Sequence, residues 1–315
     1  MEQEKIPVLA VVGPTASGKT ALGIALAQAY GGEIVSADSM QIYRGMDIAT
    51  AKPTAEELAA VPHHLIGFLP PEQSFSVADY VEAARRVIGE IHSRGKLPVV
   101  VGGTGLYVTS LLEYVQFADM PRDDTVRAAL QAQAAREGTQ GLYAELCRVD
   151  PESAACIHPN NIPRLVRAME VYRLTGRPLS AFKAESRQEP SPYRTFWLGL
   201  CYPERQQLYD RINRRVDQMV QQGLIEEARA AYAAGGMGTA AAAIGYKELI
   251  PYLEGRAELA DCIARIKQET RRYAKRQMTW FRKNEQIQWI SRTEFDEAEE
   301  ILLNCKKKIA KASFL

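Results

Sequence analysis

The residues with the most chemistry in their spacing are Gly13-Pro14-Thr15-Ala16-Ser17-Gly18-Lys19-Thr20, which satisfy G-x-x-x-x-G-K-[ST] at every position. In a loop of this kind the backbone N–H groups and the first-turn amides of the following helix converge on one spot. Lys19 adds a positive charge there, and the Thr20 hydroxyl is placed to hold Mg²⁺. The expected ligand carries at least two linked phosphates, cradled by Gly13 through Thr20. Asp38 is the one acid that directly follows a core strand near this loop. It could organise magnesium through water or act as a general base. An ATPase is poorly served by the same sequence, because the buried run Val99-Val100-Val101 ends at Gly102, where such an enzyme would place an aspartate.

Periodicity supplies the elements that must position these groups. Val8 to Val12 is an unbroken apolar run that reads as a buried parallel strand, and Ala21 to Tyr30 reads as the helix it feeds. Gly31-Gly32 ends that helix and Glu33 to Ser36 forms a second strand. The resulting βαβ unit sets the fold class as α/β, a P-loop NTPase-like parallel sheet flanked by helices. Loops at the carboxyl ends of parallel strands share one crevice, so Asp38, Ser39 and Gln41 are expected beside the phosphate loop. Gly102-Gly103-Thr104-Gly105, after the strand Leu97 to Val101, opens onto the same place. Met40 to Pro53 reads as loop, His63 to Phe68 as a further strand, and Ser76 to His92 as a crossover helix capped by Ser76.

From about Glu113 to Arg194 the strand-like runs vanish, and helices broken by Pro121, Pro151, Pro159, Pro163, Pro178, Pro190 and Pro192 take their place. The sheet resumes at Thr195 to Leu200. This predicts a discontinuous core, 1–112 and 195–315, with an all-helical insertion at 113–194. Pro203 to Ala234 reads as one helix, with Arg211 and Arg215 four residues apart on a shared face. Ala240 to Glu254 reads as a short helical region. Between Arg265 and Lys283 eight Lys or Arg stand against one acid, Glu269, interleaved with Tyr273, Trp280 and Phe281. That composition suits either an RNA-binding helix whose aromatics stack on bases or a solvated helix whose aromatics face the core. Ile287 to Ile290 is the final strand, followed by a basic helix.

The 315 residues are 46% hydrophobic and 24% charged, with a net charge of +1, ordinary for a soluble protein and long enough for two domains. Cys147, Cys156, Cys201, Cys262 and Cys305 show no C-x-x-C pairing and no His partner at ligand spacing. A zinc site and a disulfide framework are both disfavoured, and the five read as reduced, mostly core thiols. The first strand begins within a few residues of Met1 and no apolar run approaches a membrane span, so a cytoplasmic protein with no membrane partner is expected.

Seven segments, in order along nearly the whole chain, resemble the bacterial tRNA dimethylallyltransferase (tRNA isopentenyltransferase) family. They are the phosphate loop; Ser36 to Pro53; Gly102-Gly103-Thr104-Gly105-Leu106-Tyr107; Ile157-His158-Pro159-Asn160; Arg164 to Glu170; Ile244-Gly245-Tyr246; and Ala274 to Arg282. The resemblance implies transfer of a dimethylallyl group from dimethylallyl diphosphate to N6 of the adenosine just 3′ of the anticodon. Diphosphate is then a leaving group to be bound and stabilised, which accounts for the missing ATPase acid. It implies Asp38 as the acceptor of the N6 proton, with Lys19, Thr20 and Mg²⁺ taking up charge on the diphosphate. Arg215, with Arg211 beside it, becomes the candidate second clamp. Thr104, Ser39, Met40 and Gln41 are expected to meet the incoming nucleotide, which must be extruded from its stack. Arg122, Arg127, Pro163, Arg164, Leu165, Val166 and Arg167 in the helical insertion, and Tyr246, Lys247, Arg272 and Lys275 elsewhere, are expected to contact the tRNA anticodon stem-loop. Pro163 stands where the family often has glutamine, and Val166 where serine is common. The C-terminal zinc finger of eukaryotic relatives has no counterpart here, and a monomer is expected.

Other classes make different demands. A P-loop small-molecule kinase shares the logic of the first sixty or so residues but needs a second phosphate-binding lid and turns over ATP. An adenine-nucleotide isopentenyltransferase would lack the large helical insertion. An RNA-binding module without catalysis has no use for Asp38 beside a phosphate loop.

Overall fold

Five consecutive side chains, Val8 to Val12, are fully buried in β1 (Ile6–Val12), and the rest of the larger unit is arranged around that strand. The computed structural model describes residues 4–117, 123–234, 242–293 and 297–315. Arg122 and Pro121, singled out above, and the start of the Ala240 segment lie outside the described residues. After β1 come α1 (Lys19–Tyr30), β2 (Gly32–Ser36), α2 (Ala55–Ala60), β3 (His63–His64), α3 (Val77–Ser93), β4 (Leu97–Gly102) and α4 (Gly105–Leu112). The helices α5 (Asp124–Glu137), α6 (Gln140–Val149), α7 (Pro151–Cys156), α8 (Ile162–Thr175) and α9 (Leu179–Glu185) follow without an intervening strand. The chain returns through β5 (Tyr193–Cys201), α10 (Arg205–Gln221), α11 (Leu224–Ala234), α12 (Ile250–Leu253), α13 (Leu259–Phe281), β6 (Ile287–Ser291) and α14 (Ala298–Lys311). Two compact units result, residues 1–112 with 192–315, and residues 113–191.

In the larger unit all strand pairings are parallel and the order is β3-β2-β4-β1-β5-β6. Alternate residues face one side, as the strand period of two requires. Leu9, Val11, Val99, Val101, Leu198 and Leu200 pack with Leu22, Leu26, Ile301 and Ile309 of α1 and α14 in one core. A second core joins Ile42, Tyr43 and Met46 to Val216, Leu224, Tyr246 and Ile266.

Three expectations are corrected. The segment Pro203 to Ala234 is two helices, because Gly223 takes φ +104° after α10 and turns the chain into α11. Among the described residues of the Ala240 to Glu254 segment only α12 is α-helical, and turns precede it. β5 begins at Tyr193, two residues before the sequence reading, because Tyr193 and Arg194 pair with Ile6 and Pro7. The thiols also divide: Cys262 and Cys305 are buried, Cys201 is half-buried, and Cys147 and Cys156 are exposed.

The helical unit packs Leu130, Leu142, Leu146, Leu165, Val166 and Met169 into its own core. A buried ion-pair cluster in this unit is centred on Glu170, which has no solvent exposure. Arg127 Nη2 donates to both Glu170 oxygens at 3.0 and 2.8 Å, Arg167 Nη1 donates at 2.9 Å, and the Asp123 N–H donates at 3.3 Å. Burial works against this carboxylate, but hydrogen bonds from Arg127 and Arg167 outweigh it and hold Glu170 below the ordinary range. Removing one partner of a buried ion pair strands the others. Glu170→Ala is therefore expected to destabilise the protein by about 3 kcal/mol, read as a lower midpoint in urea unfolding followed by circular dichroism.

Candidate active site

The strand order places the phosphate loop and Asp38 on one crevice. β1 delivers the loop, β2 delivers Ala37-Asp38, and β4 lies between them, so the two strand ends stand two spacings apart, roughly 10 Å. β4 ends in glycine for a steric reason: a Cβ on Gly102 would stand 2.2 Å from the Ala37 carbonyl oxygen. The resulting cleft has a volume of about 1190 Å³, more than a diphosphate requires and in the upper range of small-ligand sites.

At the loop, Gly18 caps α1 in the left-handed region (φ +89°). No side chain caps this helix and its first turn has no acid, which leaves its N-terminal amides open to an anion. Thr15, Ala16, Gly18, Lys19 and Thr20 line the cleft. Gly13, Pro14 and Ser17 are buried and shape the turn, in which the Ser17 N–H donates to the Pro14 carbonyl at 3.3 Å. Lys19 Nζ donates to the same carbonyl at 3.3 Å. Burial first, and the Arg215 guanidinium second, push the Lys19 ammonium down to about 8, with Asp38 acting in the opposite direction. Arg211 Nε donates to the Ala16 carbonyl at 3.1 Å and its guanidinium lies over the Tyr202 ring. Arg215 lines the cleft and makes no hydrogen bond to a described residue. Burial lowers its pKa, while Asp38 and Glu57 oppose that shift.

Asp38 Oδ1 accepts the backbone N–H groups of Met40 at 2.9 Å and Gln41 at 3.4 Å. That turn holds the carboxylate in one orientation and leaves Oδ2 without a hydrogen bond among the described residues. Ser39 is tied to Thr104, whose Oγ accepts the Ser39 N–H at 3.0 Å and donates to Ser39 Oγ at 3.3 Å. Gln41 is spent on its own loop, donating to the Thr50 and Ala51 carbonyls at 3.2 and 3.0 Å. Met40 packs against the second core.

Several residues expected to touch RNA are used for packing or pairing within the fold. Leu165 and Val166 are core residues of the helical unit, whereas Arg127 and Arg167 converge on Glu170 and stay half-exposed. Pro163 and Arg164, in the first turn of α8, are exposed. Tyr246 is buried with its hydroxyl donating to Glu227 at 2.8 Å. Lys247 is exposed and lines the cleft. On α13, Arg272 and Lys275 are exposed, and Arg272 pairs with Glu269 at 2.6 Å. Phe281 is core, and Trp280 packs over Gly105 with Nε1 donating to Thr109 at 3.0 Å, so neither ring is available to stack on a base. Tyr273 faces the cleft.

Three contributors escaped the sequence reading. Arg292, just past β6, donates to the Ser17 carbonyl at 3.1 Å and lies against Gly18. Its position after a parallel strand was the available signal, the same one that marked Asp38. Glu227 of α11 accepts the N–H groups of Asp47 and Ile48 at 2.8 Å and of Ala49 at 3.0 Å, fixing the loop that lines the cleft; nothing local in the sequence marks it. Gln277 of α13 accepts the Thr15 N–H at 2.8 Å.

A parallel α/β sheet carrying a phosphate loop, with a carboxylate two strands away and cations on a covering helix, defines a P-loop-type protein with a loop suited to an anion. The family model described as IPP transferase matches residues 41–284, and that of isopentenyl transferase matches residues 6–67. The chain is 50% identical over 292 residues to the tRNA dimethylallyltransferase of Geobacillus thermodenitrificans, covering 92% of this chain and 91% of that one. Among solved structures it is similar to the full-length tRNA isopentenylpyrophosphate transferase of Bacillus halodurans (TM-score 0.73, 46% identity, 98% and 96% of the two chains). It is also similar to a eukaryotic dimethylallyltransferase acting on tRNA (TM-score 0.78, 28% identity, 98% and 79%). The chain belongs to the IPP transferase family.

The lowered Lys19 pKa predicts a pH signature for an anion bound at the loop. Such an anion would raise that pKa, so the Lys19 contribution to affinity should be full below about 8 and fall as pH rises through and beyond it. Titration calorimetry with inorganic diphosphate near the Lys19 midpoint, in buffers of different ionisation enthalpy, should show net proton uptake, and Lys19→Arg should abolish that uptake.

Proposed function

We propose that the chain transfers a dimethylallyl group from dimethylallyl diphosphate to N6 of the adenosine 3′-adjacent to the anticodon in tRNA, releasing diphosphate. The observation that carries this reading is the gathering of two unlike kinds of group in one cleft. Lys19, Arg211, Arg215 and the uncapped end of α1 line it together with Asp38, whose Oδ2 has no hydrogen bond among the described residues. As the allylic C–O bond breaks, Lys19, the helix amides and Arg215 take up the charge that develops on the diphosphate. The exocyclic amine is a weak nucleophile and must be held in line. Asp38, oriented through Oδ1, accepts the N6 proton on Oδ2 as the N–C bond forms. The apolar side chains Ile48, Met219, Leu224 and Ile244 line the same cleft and offer a wall for the five-carbon group.

Magnesium suits the site in a limited way. Among the described residues no group of three or more His, Cys, Asp or Glu could hold a metal ion. The Thr20 hydroxyl at the start of α1 lines the cleft, and the donor's own phosphate oxygens would complete the shell. Bound there, Mg²⁺ would neutralise charge on the diphosphate.

For the tRNA, the proposed contacts are Arg164, Arg127 and Arg167 on the helical unit, and Arg272, Lys275 and Lys247 on the larger unit. The chain is taken to act as a monomer. No described helix is long and apolar enough to cross a membrane, and a tRNA-modifying role fits the cytoplasm.

Incubation with labelled dimethylallyl diphosphate or γ-labelled ATP, with and without tRNA, tests the reaction. The prenyl label should move to tRNA and the ATP label should stay; γ-transfer would instead support a kinase. Asp38→Ala should lower turnover at least about a hundredfold with tRNA affinity nearly intact, and parental turnover in this variant would remove Asp38 from the mechanism. Replacing Arg272 and Lys275 together by Ala should weaken tRNA binding and reduce its salt slope by about two, measured by filter binding across a salt series. An unchanged slope would return α13 to a solvated face.

A further inference from the structure

α13 has two faces with different work. Arg272, Lys275 and Arg276 are exposed, while Tyr273, Gln277 and Trp280, at positions i, i+4 and i+7, turn inward. Gln277 is 4% exposed and both ends of its amide are engaged. Oε1 accepts the N–H of Thr15 in the phosphate loop at 2.8 Å, and Nε2 donates to the Gly103 carbonyl after β4 at 2.9 Å. One turn earlier Tyr273 lies beside Thr104 and Gln277, whose side chains work against the rise that burial gives its hydroxyl pKa, and Thr104 holds the Ser39 N–H beside Asp38. A single amide therefore ties the loop that would hold the leaving group to the loop that supports the proton acceptor. It also occupies one phosphate-loop donor that an anion would otherwise be expected to use.

We propose that Gln277 is a positioning residue for the transfer step: it sets the separation of the phosphate loop from the Gly103-Thr104 loop, so that the allylic carbon and the amine meet in line. This rests on the reaction proposed above. A buried amide satisfied at both ends is a stiff spacer, because breaking either bond strands a buried N–H or carbonyl. In-line displacement is sensitive to spacing, and a misplacement of about 1 Å costs on the order of a hundredfold in rate. Gly103 belongs to the same device, since a Cβ there would stand 2.2 Å from Gln277 Nε2 and push the amide away.

The test compares the parental chain with Gln277→Ala, Gly103→Ala and the double variant. The readouts are single-turnover prenylation of tRNA, the dissociation constant for inorganic diphosphate, the KM for tRNA, and the thermal midpoint. The expected result is a single-turnover rate lowered ten- to a hundredfold in each single variant. Diphosphate affinity and tRNA KM should stay within about threefold, and the double variant should be no slower than the slower single one, because both changes break one spacer. Gly103→Ala keeps the Gln277 side chain but displaces its amide, and so reads the effect without the cavity that Gln277→Ala opens. Three results would overturn the inference. They are a folded single variant whose rate stays within about twofold of parental, rate losses that multiply in the double variant, or affinities that fall in step with the rate. A parental chain that prenylates nothing would sink the reaction itself, and this role with it, whereas an active parental chain with active variants sinks only the role of Gln277.

Discussion

The position of β4 between β1 and β2 is the constraint on which the site depends. A parallel sheet fixes neighbouring strands at about 5 Å, so the strand order, rather than any side chain, sets how far the phosphate loop stands from Asp38. One intervening strand opens a gap wide enough for a leaving group, a reacting carbon and an amine. β4 must then end without bulk, and Gly102 and Gly103 meet that requirement against Ala37 and Gln277 respectively. The chain breaks the usual P-loop expectation of an acid at this strand end for the same reason. A carboxylate there would occupy the space between donor and acceptor and would compete with the anion for Lys19.

The electrostatics follow from that geometry. Lys19 and Arg215 are gathered beside Arg211 where burial first, and a neighbouring cation after it, work against the charge of Lys19 and of Arg215. Such a cluster is unfavourable when the cleft is empty and becomes favourable when an anion bears on it, with its largest gain when negative charge develops on a departing group. Arg211 and Arg292 each give one N–H to a loop carbonyl, Ala16 and Ser17 respectively. They therefore stiffen the loop from outside, whereas Arg215 makes no hydrogen bond to a described residue and would keep all its donors for a ligand on the proposed reading.

Much of this could be read from the sequence because it is written in local pattern. The unbroken apolar run of β1, the glycines of the loop and the Ser76 cap of α3 each act within a few residues, and each is where periodicity placed it. Asp38 was legible through a topological rule: a residue just past a parallel strand faces the crevice. The misses are of another kind. Gln277 is 262 residues from Thr15 in sequence, and Glu227 reaches the Asp47 loop across 180. Whether an amide or a carboxylate bonds a backbone N–H or water is decided by packing that no local pattern encodes. The basic stretch left two readings open for a related reason, since alternating charge and aromatics do not say which way a helix is rolled. Roll is set by what the apolar side must cover, here Gly105 and the core around Phe281, so two of the three aromatics were used before any RNA could claim them.

The arginines of the helical unit make the same point in the opposite direction. Arg127 and Arg167 were expected to be free for phosphates, yet Glu170 holds both through bonds of 2.8 to 3.0 Å. A buried acid between two half-exposed guanidiniums removes much of their net charge but also much of their side-chain entropy. An arginine already fixed in place loses less freedom when a phosphate arrives than one moving in solvent. The same carboxylate that stabilises the unit also sets the direction in which its cations point, so on the proposed reading fold and recognition would share one group. On this argument, affinity for an RNA backbone depends less on how many arginines the helices carry than on how many are held still.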